Sequence, residues 1–141
     1  MAKKSLTYHI FNDLSTAVSG IAKKVYLDRP KTTESEITDF IVVDLPTVIH
    51  NRVKGDMSVM AGCYGVYYVF VKSKDDYTPN MTKQTSLVQS VLDVFPISTS
   101  HITATEPTVL MKGEDGYGYH VTTITFKVRT KFNADKITNT N

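Results

Sequence analysis

A chain of 141 residues with 16 Lys and Arg against 14 Asp and Glu, a formal net charge of +2 and 41% hydrophobic residues fits one compact soluble domain. That charge is too small to act as a footprint for bulk nucleic acid or an anionic membrane, although a local basic stripe is compatible with it. The single cysteine, Cys63, excludes an intrachain disulfide framework, and together with four histidines it falls short of a thiolate-rich zinc site. No apolar run approaches the roughly 20 residues that cross a bilayer. The start Met1-Ala2-Lys3-Lys4 is basic, but the residues after it, Leu6 to Asp13, are too polar for a signal-peptide core, so the expected setting is a cytoplasm, or a particle assembled from one.

The apolar positions Leu6, Ile10, Leu14, Ala17, Val18 and Ile21 recur every three or four residues and predict an amphipathic helix from Leu6 to about Lys24. Gly20 weakens its last turn, and Lys23-Lys24 suits a helix C-terminus, where the macrodipole favours cations. Val25 to Leu27 then reads as a short strand, ended by Pro30 and the polar stretch Lys31 to Glu36. Asp39 to Leu45, rich in β-branched residues and stopped by Pro46, predicts a strand apolar on both faces. Thr47 to Val53 can continue it past the proline, before turn chemistry at Lys54-Gly55-Asp56 and a short Met-containing stretch, Met57 to Ala61.

Tyr64 to Val71 is the strongest strand. Tyr64, Val66, Tyr68 and Phe70 share one face, and Gly65, Tyr67, Val69 and Val71 the other. A strand apolar on both faces needs two covers; helices supply one, and a neighbouring subunit is the expected second. After a polar connection ending in Thr78-Pro79-Asn80, a second helix runs from Met81 to Phe95, with Leu87, Val88, Val91, Leu92 and Phe95 on one stripe and Pro96 closing it. Ile97 to Met111 predicts a Thr-rich strand broken at Glu106-Pro107. The turn Lys112-Gly113-Glu114-Asp115-Gly116-Tyr117-Gly118 joins it in hairpin fashion to a last strand, Tyr119 to Phe132. The expected architecture is α+β: a single domain over residues 1–132 with a mostly antiparallel sheet and two amphipathic helices packed on one face, followed by a flexible polar C-terminal tail, residues 133–141.

The last strand alternates. Ile124, Phe126, Val128 and Phe132 are apolar, whereas Thr123, Thr125, Lys127, Arg129 and Lys131 between them are polar or basic. Alternate strand residues project from the same face, so Lys127, Arg129 and Lys131 stand in a row roughly 6 to 7 Å apart. Such a row is a solvated sheet face, a subunit interface meeting an acidic edge, or the wall of a nucleic-acid channel.

Catalytic chemistry is hard to place. Cys63 is flanked by Gly62 and Tyr64, and a Cys-His pair with His50, His101 or His120 depends on the fold bringing them together; the plainer reading is a small hydrophobe at a strand start. The histidines show neither HxH nor HxxxH spacing, so no metal site is expected. Gly113 to Gly118 lacks the strand-loop-helix setting and the Lys-Ser/Thr ending of a phosphate-binding loop, and Glu114 and Asp115 would repel an anion.

The order of elements resembles the small tail-terminator and tail-completion (neck ring) proteins of tailed bacteriophages. The resemblance covers nearly the whole chain. It rests on the opening helix running into Val25-Tyr26-Leu27-Asp28-Arg29-Pro30, the strand Phe40-Ile41-Val42-Val43, the apolar strand Tyr64 to Val71, the helix Met81 to Phe95 and the closing hairpin across Gly113-Glu114-Asp115-Gly116 into Val121 to Val128. It implies a virion structural protein, not an enzyme and without cofactor or metal, that forms a closed homo-oligomeric ring, often a hexamer, in the phage neck or tail. The implied partners are further copies of itself, adjacent neck and tail proteins, and genomic DNA passing through the channel without sequence readout, with no membrane involved. Candidate interface or channel-lining residues are Lys127, Arg129, Lys131, Tyr67, Val69, Val71, Lys112, Glu114 and Asp115. The polar segments Lys31 to Thr38 and Val53 to Gly62 are expected to dock neighbouring rings. The alternative is a small nucleic-acid-binding module using the Lys127/Arg129/Lys131 face.

Overall fold

The structure, a computed structural model, describes residues 6–27, 37–45, 50–51, 61–76 and 78–130. Its elements are α1 (Leu6–Ala17), β1 (Lys24–Tyr26), β2 (Asp39–Asp44), β3 (His50–Asn51), β4 (Ala61–Lys72), α2 (Met81–Asp93), β5 (Ile97–Ser98), β6 (Ile102–Glu114) and β7 (Tyr119–Thr130). Among the described residues the strands form one α+β sheet in the order β1-β2-β4-β7-β6-β5, with β3 paired to β4. Every pairing is antiparallel except β1 with β2. β2 and β3 lie end to end along one edge of β4, so the strand expected to resume beyond Pro46 does so at His50–Asn51.

Helix α1 ends at Ala17, well short of Lys24. Gly20 adopts φ of +85°, a left-handed conformation that breaks the helical ladder, and a tight turn forms in which the Ser19 and Ile21 N–H groups donate to Thr16 and Val18. Lys23 and Lys24 therefore do not cap the helix. The Lys23 N–H instead donates to the Asp39 carboxylate at 2.9 Å, and Lys24 opens β1. At the start of α2, Asn80 acts as N-cap, its side chain accepting from the Lys83 N–H at 3.3 Å.

The break expected at Glu106-Pro107 is a bulge within a continuous strand. The β6·β7 register shifts between Thr105 and Thr108, and Glu106 takes φ of +58° there, which lets the strand pass a proline that cannot donate to the ladder.

The main core gathers Ile10, Leu14 and Val18 from the α1 segment, Leu87 and Val91 from α2, and Ile41, Val43, Tyr67, Val69, Val71, Ile124, Phe126 and Val128 from alternate positions of β2, β4 and β7. At its centre the rings of Tyr67, Phe126 and Phe95 meet with centroids 4.9 to 6.2 Å apart. The buried Tyr67 hydroxyl donates to the Leu14 carbonyl at 2.6 Å, tying β4 to the last turn of α1. Tyr67→Phe removes that bond and leaves the packing intact, so equilibrium denaturation is expected to show a loss of about 0.5 to 1.5 kcal/mol. Gln84 ties α2 down in the same manner: its buried Nε2 donates to Thr122 Oγ1 at 2.8 Å and reaches the Val69 and His120 carbonyls.

A second core lies on the opposite face of the sheet, formed by Ile37, Phe40, Val42, Phe70, Tyr119 and Val121, with Tyr26 and Tyr68 packed against it. Phe40 stacks on Phe70 at 4.4 Å, and the Tyr119 hydroxyl donates to the Ile37 carbonyl at 2.6 Å. Much of the second face of β4 is thus closed within a single chain: Val66 and Phe70 are buried and Tyr68 is half-buried, whereas Lys72 is exposed and Tyr64 is 51% exposed.

Candidate functional site

The alternation in β7 places Lys127 and Arg129 on the face of the second core, both exposed. Lys127 does not stand in an isolated cationic row. Lys127 Nζ lies 3.1 Å from Glu106 Oε2 across the β6·β7 pair, at the bulge. Both side chains are more than half exposed, so this ion pair adds little stability, but it halves the bare positive charge of the strand. Tyr64 stands opposite Lys127 in the register, which leaves an exposed aromatic beside the cations. Lys131 falls outside the described residues, as does Phe132.

The same sheet face also carries an acid-rimmed groove. This groove of about 410 Å³ has Val42, Tyr68, Phe70 and Val121 among its lining residues, with Asp44, Glu114 and Asp115 supplying carboxylates and exposed Leu27 at its edge. The carboxylates of Glu114 and Asp115 also fold back onto their own hairpin. Glu114 accepts from the Gly116 and Gly118 N–H groups, and Asp115 from those of Tyr117 and Tyr119. The glycine-rich segment is therefore a stapled hairpin tip. Burial, assisted by the Asp44 carboxylate, pushes the Tyr68 phenol above its ordinary pKa. The groove's carboxylates and the Lys127 and Arg129 cations therefore share one sheet face, with Asp44 level with Thr125, two positions from Lys127.

Tyr67, Val69 and Val71 are corrected by the structure as interface or channel residues. All three are closed off within the main core, because their face of β4 is the one packed against α1 and α2 residues. Lys112 lies in β6, with its backbone described and its side chain not. Residues 31–36 and 53–60, expected to dock neighbouring rings, lie outside the described residues.

His101 and His120 each have a polar side-chain partner of their own. His120 sits opposite Val71, at the far end of β4 from Cys63, and its Nδ1 lies 2.7 Å from Ser73 Oγ. His101 Nδ1 lies 2.9 Å from the Asp13 carboxylate, which also accepts from Thr99 at 2.6 Å, and the imidazole stacks on His9 at 4.4 Å. His50 is opposite Gly62, one register position from Cys63. Among the described residues no group of three or more His, Cys, Asp or Glu side chains could hold a metal ion, and no helix is long and apolar enough to cross a membrane.

No protein-family model matches the chain, and neither does any curated protein. Among solved structures, a chain from the virion of a native gene transfer agent particle matches with a TM-score of 0.53, covering 90% of this chain and 92% of that one at 11% identity. The two chains share a fold. At that identity the likeness concerns the path of the backbone, and it extends over nearly the full length of both molecules.

Two features escaped the sequence reading. Gln84, a polar residue outside the apolar stripe of the second helix, is revealed as a buried tie only by its contacts with β4 and β7. The second is the outer side of β6, where Val109, Leu110 and Met111 are 40%, 58% and 55% exposed. That one carried a signal: three consecutive apolar residues in a strand put apolar groups on both faces at once.

Proposed function

We propose that the protein is a non-enzymatic structural component of a phage-like virion, a protomer of a homo-oligomeric ring in the neck or tail, of the tail-terminator or head-tail connector kind. The observation that carries this reading is the end-to-end fold likeness to a chain of a gene transfer agent virion. Both helices cover one face of the sheet in this reading, and the opposite face meets other copies and the adjacent neck and tail proteins. Genomic DNA passes the ring without sequence readout. With only Lys127 and Arg129 as described cations on that strand face, and Lys127 paired to Glu106, contact with the phosphates is slight.

Immunogold labelling of particles from the strain that encodes this chain tests the reading. Label at the head-tail junction is expected, and label over the capsid shell or on the fibres contradicts it. Charge reversal at Lys127 and Arg129 probes the basic pair separately. Both side chains are exposed, so the double glutamate variant is expected to melt as the wild type does while assembling poorly; unchanged assembly, read by light scattering, removes these residues from the interface.

A further inference from the structure

Strand β6 carries an unused edge. β5 pairs only with Ala104 and Thr103, so from Thr105 to Glu114 the side of β6 facing away from β7 has no strand partner among the described residues. At roughly 3.3 Å per residue this is about 30 Å of unpaired N–H and C=O groups. Natural edges of that length are normally blunted. Here the bulge and Pro107 guard one end, yet Val109, Leu110 and Met111 lie beyond them in the open, beside a groove of about 190 Å³ bounded by Val109, Met111 and the α2 residues Thr85 and Val88.

The sheet has a second open edge at its opposite side. β1 pairs with β2 alone, and its outer edge, Lys24–Tyr26, has no strand partner among the described residues. The two edges differ in charge. Residues 23–27 hold two lysines and no acid, and both lysines are exposed; residues 106–115 hold Glu106, which is paired with Lys127, and Glu114 and Asp115 against Lys112. Each edge also offers exposed apolar side chains, Leu27 just past β1 on one and Val109, Leu110 and Met111 on the other, while Val25 and Tyr26 pack against the two cores.

We infer that the β6 edge of one copy takes up the β1 edge of a second copy, extending the sheet from subunit to subunit. Backbone hydrogen bonds then form the join, an apolar side chain of the added strand enters the groove beside Val109 and Met111, and lysine-carboxylate attraction sets the orientation. Because the two edges differ, the contact is head-to-tail, the kind that closes into rings. The inference rests on the ring-forming reading above and adds to it the surface through which copies meet.

The test places the photocrosslinker p-benzoylphenylalanine at position 110 of the full chain, irradiates the assembled protein and maps the products after trypsin digestion. Position 110 is exposed, so the fold tolerates the substitution. The expected product joins position 110 to the tryptic peptide that begins at Val25 of another copy. Oligomers crosslinked to any other peptide, that of position 110 itself included, overturn the edge pairing and leave the ring reading standing; a protein that remains monomeric overturns both. A second variant, Leu110→Lys, is expected to keep the wild-type melting curve and lose at least tenfold in self-association, and unaltered association overturns the proposal.

Discussion

Replacing Phe126 with alanine is expected to cost about 3 to 5 kcal/mol, a loss comparable to much of the stability of a small domain. Its ring is buried where α2 meets the sheet, 4.9 Å from Tyr67 and 5.0 Å from Phe95, and it also lies over Gly65 on the neighbouring strand. A Cβ at position 65 would come within 2.5 Å of Phe126 Cε2 and 2.8 Å of Cζ. Ordinarily alanine in place of a strand glycine gains about 0.5 to 1 kcal/mol by restricting the unfolded chain. Here the overlap with a buried ring packed between Tyr67 and Phe95 outweighs that gain, since overpacking costs about 1 to 3 kcal/mol. Gly65→Ala alone should therefore destabilise, whereas in the Phe126→Ala background the same methyl group enters a vacated space and should be neutral or stabilising. Urea denaturation of the two single variants and the double variant checks this reversal, and simple additivity would show that ring and glycine are not in contact.

Asp39→Asn is expected to cost about 1.5 to 3 kcal/mol at neutral pH, and the cost should vanish in acid. The Asp39 side chain is buried, which pushes its pKa up. The Lys83 ammonium at 2.8 Å, the Thr38 hydroxyl at 2.7 Å and the Lys23 N–H at 2.9 Å outweigh burial and hold the carboxyl below its usual value of 3.8. A carboxyl whose folded pKa lies below its unfolded one contributes stability above the unfolded value, and loses it as pH falls through the folded value. Wild type should therefore lose this contribution below about pH 4 and approach the asparagine variant, whose own dependence lacks that limb. Denaturation midpoints of both proteins between about pH 7 and about pH 2.5 make the comparison; a constant gap across that range would mean that the charge of Asp39 does not matter. Structurally the pair fastens the N-terminal turn of α2 and the end of α1's connection to the start of β2.

The chain made legible whatever repeats locally. The alternation of Tyr64 to Val71 separates the two faces of β4 correctly, and the alternation of Ile124, Phe126 and Val128 with Lys127 and Arg129 puts the apolar set inside and the basic pair outside. Features that depend on residues far apart in sequence stayed hidden. Nothing near Lys127 announces that Glu106 will neutralise it, because the bulge that brings them together belongs to another strand. Tyr67, Val69 and Val71 looked as suitable for an interface as Tyr64, Tyr68 and Phe70, since alternation divides a strand into two faces without saying which one the helices take. The acid-rimmed groove is likewise a product of the curled sheet, which draws Asp44 of β2 and the β6-β7 hairpin to one opening.

Light scattering coupled to negative-stain electron microscopy, on purified protein over a wide concentration range, tests the ring reading most directly. The expected result is a closed ring with a central hole and a mass that is a whole multiple of 15.8 kDa. A single species of 15.8 kDa at every concentration would contradict it.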